Sequence, residues 1–182
     1  MKNNKEIILK GNGFILRTYR KDDYLSLAKN ANNKKIAINL PDTFPIPYTA
    51  KNAKELIAMN LKWYKASIFM NFVIDIEGRA VGTIGSSMIK NTPFMISFGY
   101  WLGEKYWGKG IVTEAIKMYI KYIFSKFINI QRIEASVYSW NENSKKVLIK
   151  NGFKLEGILR KSVKKKGKII DKYIFSKLRS EK

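Results

Sequence analysis

Between Gly110 and Phe127 the apolar residues Ile111, Ala115, Ile116, Met118, Tyr119, Tyr122 and Ile123 recur at helical spacing, while Lys117, Lys121 and Lys126 face away from them. The segments on either side read as strands. Phe94 to Leu102 follows a turn containing Pro93, and Ile130 to Tyr138 alternates with Ile133, Ala135 and Val137 on one side. A strand, a helix and a strand in that order predict two parallel strands joined by a right-handed crossover. That unit needs a sheet with helices against it, so the chain is predicted to be α/β.

The rest of the chain supplies the other strands. Gly13 to Tyr19 reads as an opening strand, and Asp22 and Asp23 offer an N-cap to a helix running to about Asn33. Asn39 to Tyr48 holds Pro41, Pro45 and Pro47 and reads as a loop, with Phe44 and Tyr48 as pocket walls. Thr49 caps a second helix, whose Leu56, Ile57, Met59, Asn60 and Trp63 fall partly on one face. Ile68 to Ile76 and Arg79 to Ile89 read as a hairpin through Glu77 to Arg79. A short helix begins after Asn141 or Asn143 and stops at Gly152, and Phe153 to Leu159 with Ile169 to Leu178 makes a closing hairpin. The expectation is a mixed, mostly antiparallel sheet of about seven strands flanked by four helices, with strands four and five parallel.

At 182 residues the chain is expected to be a single domain over 1–182. Cys and His are both absent, which removes disulfides, the usual zinc sites, thiolate nucleophiles and imidazole bases, so no metal is expected. No apolar run approaches membrane-spanning length, and a cytoplasmic protein without a membrane partner is expected.

The net charge is +21, with 35 basic residues, 29 of them Lys, against 14 acidic ones. Such a charge favours an anionic partner, whether nucleic acid, the ribosome or a phosphorylated cofactor. The richness in Lys, Ile and Asn also fits a plain compositional bias. Residues 92–182 carry 20 basic and 7 acidic side chains against 15 and 7 in residues 1–91, so an anionic ligand is expected in the second half. Lys164, Lys165, Lys166 and Lys168 cluster at a hairpin tip, where a solvated turn is the plain reading.

The chemistry-bearing motif is W-L-G-E-K-Y-W-G-K-G-I-V-T-E-A, Trp101 to Ala115, which joins a strand end to a helix start through three glycines. That arrangement aims free backbone N–H groups and the positive end of the helix dipole at one point, as a phosphate requires. Gly103 through Lys109 fits G-x-x-x-x-G-K, but Gly110 stands where a magnesium-binding hydroxyl belongs, which argues against a nucleotide triphosphatase. Gly108, Gly110 and Thr113 miss the last glycine of G-x-G-x-x-G, and a dinucleotide fold places that loop after its first strand.

The same stretch resembles the pyrophosphate loop [QR]-x-x-G-x-[GA] of the GNAT acetyltransferases, with Lys105 where Gln or Arg is usual. N-E-N-S-K-K-V-L-I-K-N-G-F, Asn141 to Phe153, is similar to the acetyl-CoA-side helix of that superfamily. G-F-K-L-E-G-I-L-R, Asp171, the Leu16-Arg17 pair and G-Y-W-L-G at Gly99 to Gly103 look like its RimJ/RimL-like branch of ribosomal-protein N-terminal acetyltransferases.

The resemblance implies a GNAT-like sheet with strands four and five splayed around acetyl-CoA as co-substrate. The backbone of Trp101 and Leu102 would pair with the pantetheine arm, and the amides of Trp107, Gly108, Lys109, Gly110 and Ile111 would hold the pyrophosphate, with Thr113 close by. Asn141 and Lys150 would belong to the same coenzyme site, Lys145, Lys146 and Lys150 being candidates for its 3′-phosphate or simply a solvated face.

Leu148 occupies the position where many members carry a tyrosine acid. Ser144 is the implied substitute as proton donor, although it also suits a helix cap. Neither Glu104, Glu114 nor Glu134 suits a general base, and water is the default. The implied reaction is direct acetyl transfer to a primary amine, foremost the N-terminal α-amine of a protein, with the ribosome as the place where it would be met. The alternatives are a small amine such as a polyamine, aminoglycoside or amino acid, or a domain that binds CoA without turnover. A basic nucleic-acid-binding module lacks any helix-turn-helix, RNP or zinc signature. Monomer and homodimer both remain open.

Overall fold

The computed structural model describes residues 7–65, 70–89 and 91–181. Eight strands form one sheet in the order β1-β2-β3-β4-β5-β6-β8-β7: β1 (Ile8–Lys10), β2 (Ile15–Arg17), β3 (Asn71–Ile76), β4 (Arg79–Ile89), β5 (Thr92–Leu102), β6 (Arg132–Tyr138), β7 (Lys154–Lys165) and β8 (Lys168–Leu178). The α-helices are α1 (Tyr24–Ala31), α2 (Lys34–Ala37), α3 (Ala50–Lys65), α4 (Ile111–Lys126) and α5 (Glu142–Lys150). The predicted mixed α/β sheet is therefore observed, with one strand and one helix more than expected.

Both additions are short. β1 has three residues and α2 four, too few for any periodicity to show. The expected helix from Asp22 begins as a 3-10 turn over Lys21–Asp23 and ends at Ala31. Pro93 lies inside β5 rather than in the turn before it; at the second strand position its missing N–H costs little. The closing hairpin is longer than read, reaching Lys165 and resuming at Lys168, with Gly167 in left-handed geometry at the tip. Ile68 and Phe69 of the expected second strand lie outside the described residues.

The chain divides into two compact units, Met1–Gly85 with Tyr100–Ile111, and Ser86–Gly99 with Val112–Lys182. In the first, Leu27 and Ala31 of α1, Ala53 and Ile57 of α3, and Val73 of β3 bury together with Tyr19, Tyr48 and Trp101. Each of the larger side chains among them, such as Leu27, Ile57 and Val73, contributes roughly 1.5–3 kcal/mol on leaving water.

Under this core Arg17 is 1 % exposed and fully paired. Its Nε donates to Asp75 Oδ2 at 2.6 Å, while Nη1 and Nη2 donate to the two carboxylate oxygens of Asp23 at 2.8 and 2.6 Å. Asp23 Oδ2 also accepts from the Arg20 amide and Asp75 Oδ1 from the Gly78 amide, so one guanidinium ties the helix start to the β3–β4 turn.

In the second unit β5 and β6 are the parallel pair, joined over Met95↔Arg132, Ile96↔Ile133 and Ser97↔Glu134. β6 then pairs antiparallel with β8 along its whole length, from Arg132↔Leu178 to Tyr138↔Lys172. Among the described residues the parallel pairing of β6 with β5 runs over its first three residues, Arg132–Glu134. Phe98 stacks between Tyr119 of α4 (5.8 Å) and Phe153 (5.4 Å), which seats that helix and the start of the final hairpin on the sheet.

Candidate active site

The glycine loop follows β5 in the first unit and is anchored before it turns. The Gly103 amide donates to Val81 O at 2.8 Å, and a Cβ on Gly103 would lie 2.4 Å from Asn30 Oδ1, so a side chain here would require the Asn30 amide to move. Glu104 accepts from Asn33 Nδ2 at 2.7 Å and pairs with Lys35 at the head of α2. Lys35 foremost, and then Asn33, hold the Glu104 carboxyl below its ordinary range.

A short 3-10 turn, Glu104–Tyr106, carries the chain to Trp107. The Trp107 indole Nε1 donates back to Leu102 O at 2.7 Å. Trp101 and Leu102 are buried, while Trp107, Gly108, Lys109 and Gly110 are exposed. The Lys105 and Lys109 ammonium groups each stand 5.9 Å from the Tyr106 ring centroid, so two cations lie near one aromatic ring of the loop.

Gly108 and Gly110 both have φ +75°, and a Cβ on either would meet no atom of the chain within 4 Å. The reason for glycine is thus backbone geometry and not crowding by the protein itself: side chains rarely adopt this φ, and the space in front of the loop is open. α4 starts at Ile111, so its first amides have no partner within the helix. Thr113 lies on its first turn. The two left-handed glycines on either side of Lys109, next to a helix N-terminus, form a backbone concavity suited to an anion.

The remaining expected site residues lie in the second unit, on the β6–α5 turn and α5. Asn141 is the N-cap: its side-chain oxygen accepts from the Ser144 amide at 3.2 Å, so Ser144 is not itself the capping residue. Ser144 is half-buried and Lys150 is exposed at the end of α5. Leu148 is fully buried beneath the helix. Lys145, one of the three lysines read as facing a phosphate, is engaged within the protein. Its Nζ donates to Ser139 O and to Glu142 Oε1, each at 2.7 Å, and lies 3.8 Å from the Tyr173 ring centroid. Glu134 pairs with Arg132 at 3.0 Å, in keeping with a structural role.

Sequence reasoning missed the anchoring of Gly103 and Glu104 by Asn30, Asn33 and Lys35. These partners stand about seventy residues away in the chain, and nothing in local spacing points to them. Among the described residues no group of three or more acidic side chains is placed to hold a metal. No helix there is long and apolar enough to cross a membrane.

The family description "Acetyltransferase (GNAT) domain" matches residues 14–154. An uncharacterized N-acetyltransferase, p20, of Bacillus licheniformis is 36% identical over 138 residues, 74% of this chain and 77% of that protein. Among solved structures, a ribosomal-protein-S5-alanine acetyltransferase from Vibrio fischeri is 27% identical with TM-score 0.82, covering 97% of this chain and 99% of that one. A ribosomal L7/L12 α-N-protein acetyltransferase, RimL, in complex with coenzyme A superposes with TM-score 0.84 at 18% identity, over 97% of this chain and 100% of that one.

Proposed function

The chain belongs to the GNAT acetyltransferase family and is an acetyl-CoA-dependent N-acetyltransferase; on that premise we propose that its acceptor is the N-terminal α-amine of a protein, foremost a ribosomal one, and that residues 1–182 act as one acetyltransferase domain. The observation that supports the coenzyme side of this reading is the pair of left-handed glycines facing open space at the head of α4. A diphosphate fits there because backbone N–H groups can approach it closely and the helix dipole favours its charge.

In this proposal the amides of Trp107, Gly108, Lys109, Gly110 and Ile111 hold the diphosphate, with Thr113 beside it and Lys105 and Lys109 adding positive charge. Lys105 supplies that charge without the planar, bidentate hydrogen bonding of an arginine. The backbone of Trp101 and Leu102 runs beside the pantetheine arm; the Leu102 carbonyl keeps one lone pair after accepting from Trp107. Asn141 and Lys150 complete the coenzyme-binding set.

Acetyl-CoA supplies an activated acetyl group as its thioester. With no Cys or His in the chain, the amine is acetylated directly and gives up its proton to water. Ser144 is the proposed hydrogen-bond donor to the departing sulfur, with the proton that ends on the thiol supplied through it from water so that the hydroxyl is restored; the ordinary thiol pKa of about 8.5 makes such modest assistance sufficient.

The ribosomal acceptor is supported by the 27% identical S5-alanine acetyltransferase and by the net charge of +21, which would draw the protein toward ribosomal RNA and repel polycationic small amines. One observation favours a second reading, a coenzyme-binding domain without turnover: Leu148 is fully buried where many family members carry a tyrosine acid. A thiol-release screen of N-terminal peptides against polyamines, aminoglycosides and amino acids tests both. Turnover with peptides is the expected result. Turnover with small amines alone overturns the acceptor, and coenzyme binding without release of thiol in any lane overturns the enzyme.

A further inference from the structure

The β7–β8 hairpin concentrates positive charge: from Leu159 to Lys172 it carries seven basic side chains against a single acid, Asp171, whose Oδ1 accepts from the Lys161 amide at 2.8 Å. Strand alternation divides these cations between the two sides of the sheet. Lys165 lies directly opposite Lys168, and Lys172 directly opposite Tyr138 of β6, so Lys165, Lys168 and Lys172 share one side with Tyr138. The Lys165 ammonium accordingly stands 5.9 Å from the Tyr138 ring centroid, although that lysine is only 4% exposed. Like charges directly opposite in a strand pair are destabilising, so packing alone does not account for three lysines on one side. The carboxylates on that side, Glu134 and Glu156, are both tied to Arg132 at the other end of β6. Neither Lys168 nor Lys172 has an ion-pair partner among the described residues. Tyr138 also ends β6 just before the turn that leads to Ser144. Its carbonyl accepts from the Asn141 amide at 2.9 Å, and Asn141 Oδ1 accepts from the Ser144 amide at 3.2 Å. Trp140, in the turn between, packs edge-on to the Tyr138 ring at 5.8 Å and is 38% exposed.

We infer that the acceptor is an N-terminal peptide with acidic side chains shortly after its first residue, and that Lys168 and Lys172 select it by pairing with those carboxylates; this rests on the proposed place of Ser144 at the departing sulfur. Charge complementarity decides the occupant, because this side of the hairpin offers cations with no carboxylate of their own. Lys168 and Lys172 stand four residues apart on one strand, about 13 Å. An extended peptide running along the strand presents side chains to one side at matching intervals. Lys165 adds to the positive field beside Tyr138, and a polycationic acceptor would be repelled from the same place.

The probes are three peptides of about eight residues that share an N-terminal alanine and differ only in carrying Glu, Gln or Lys at alternate positions, with thiol release followed at saturating acetyl-CoA. The kcat/KM for the Glu peptide is expected to exceed that for the Gln peptide by about tenfold or more, mainly through KM, with the Lys peptide lowest. Lys168→Glu/Lys172→Glu is expected to bring the Glu-to-Gln ratio down to about one or below. Lys117→Glu/Lys121→Glu, which lowers the net charge equally from α4, is expected to keep that ratio within about threefold of the parent's. Lys117, Lys121 and Lys168 are exposed and Lys172 half-buried, and the hairpin variant relieves like-charge crowding, so both variants should fold, as thermal melts check. Equal rates on the three peptides, or equal loss of the preference in the two variants, would overturn this inference and leave the N-terminal acceptor standing. Thiol release with small amines and with none of the peptides would overturn that acceptor, and this inference with it.

Discussion

Arg17 shows how a single residue couples distant segments of this chain. Its guanidinium is buried between Asp23 and Asp75, and removing one carboxylate would leave charge unpaired in the interior. Asp75→Ala is therefore expected to lower the unfolding free energy by about 3–5 kcal/mol, read as a lower urea midpoint. A loss of under about 1 kcal/mol would mean that water reaches Arg17. Ser144 is the residue on which turnover should depend: Ser144→Ala is expected to reduce kcat by about tenfold or more with little change in KM. An unchanged kcat would remove the hydroxyl from the mechanism. Of these residues the sequence revealed Leu16-Arg17 and Ser144 only as matches to a family pattern. That Arg17 is fully paired depends on Asp75, which lies 58 positions away.

Among the elements, the glycine loop was legible because its features are local: a strand end, glycines two apart and a helix start in one continuous stretch. Its anchoring was not, since Asn33, Lys35 and Glu104 meet only when the chain folds. Two effects oppose each other at Glu104. Its charge would repel a diphosphate, while its hydrogen bonds hold the loop proposed to bind one. If anchoring dominates, Glu104→Gln raises the acetyl-CoA Kd by about threefold or more; a lower Kd would mean that repulsion dominates.

A separate, pH-dependent link runs from β6 to β7 across the intervening β8. Arg132 donates to both carboxylate oxygens of Glu156 at 2.5 Å, and together with Ser176 it lowers the Glu156 pKa to about 2. A carboxyl depressed in the folded state stabilises the protein above its ordinary value near 4.5, and that contribution fades as pH falls toward about 2. Glu156→Gln should therefore be less stable than the parent at pH 6 and converge with it in acid, as followed by thermal melts. A constant difference across that range would show that the link is not electrostatic.

For the whole molecule, the sheet was legible to within one strand because its long elements carry strong periodicity. β1 escaped because three residues cannot show a period, and the β7–β8 hairpin ran longer than expected because Arg160 to Lys168 carries too much charge to read as strand. The charge of +21 belongs to this scale as well. It should make anion binding weaken with salt, and ligand binding should raise stability by mass action. At a hundredfold excess over Kd, acetyl-CoA is expected to add about 2.7 kcal/mol and about 5–10 °C to the melting temperature, with ATP and NAD well below that at equal concentration.

The most direct measurement is a titration of isotopically labelled protein with acetyl-CoA, following the backbone amides of Gly108, Lys109, Gly110 and Ile111 by NMR. They are expected to move downfield together and saturate with one Kd, as donors to a diphosphate would. Saturable binding that shifts other amides and leaves these four in place would contradict the account.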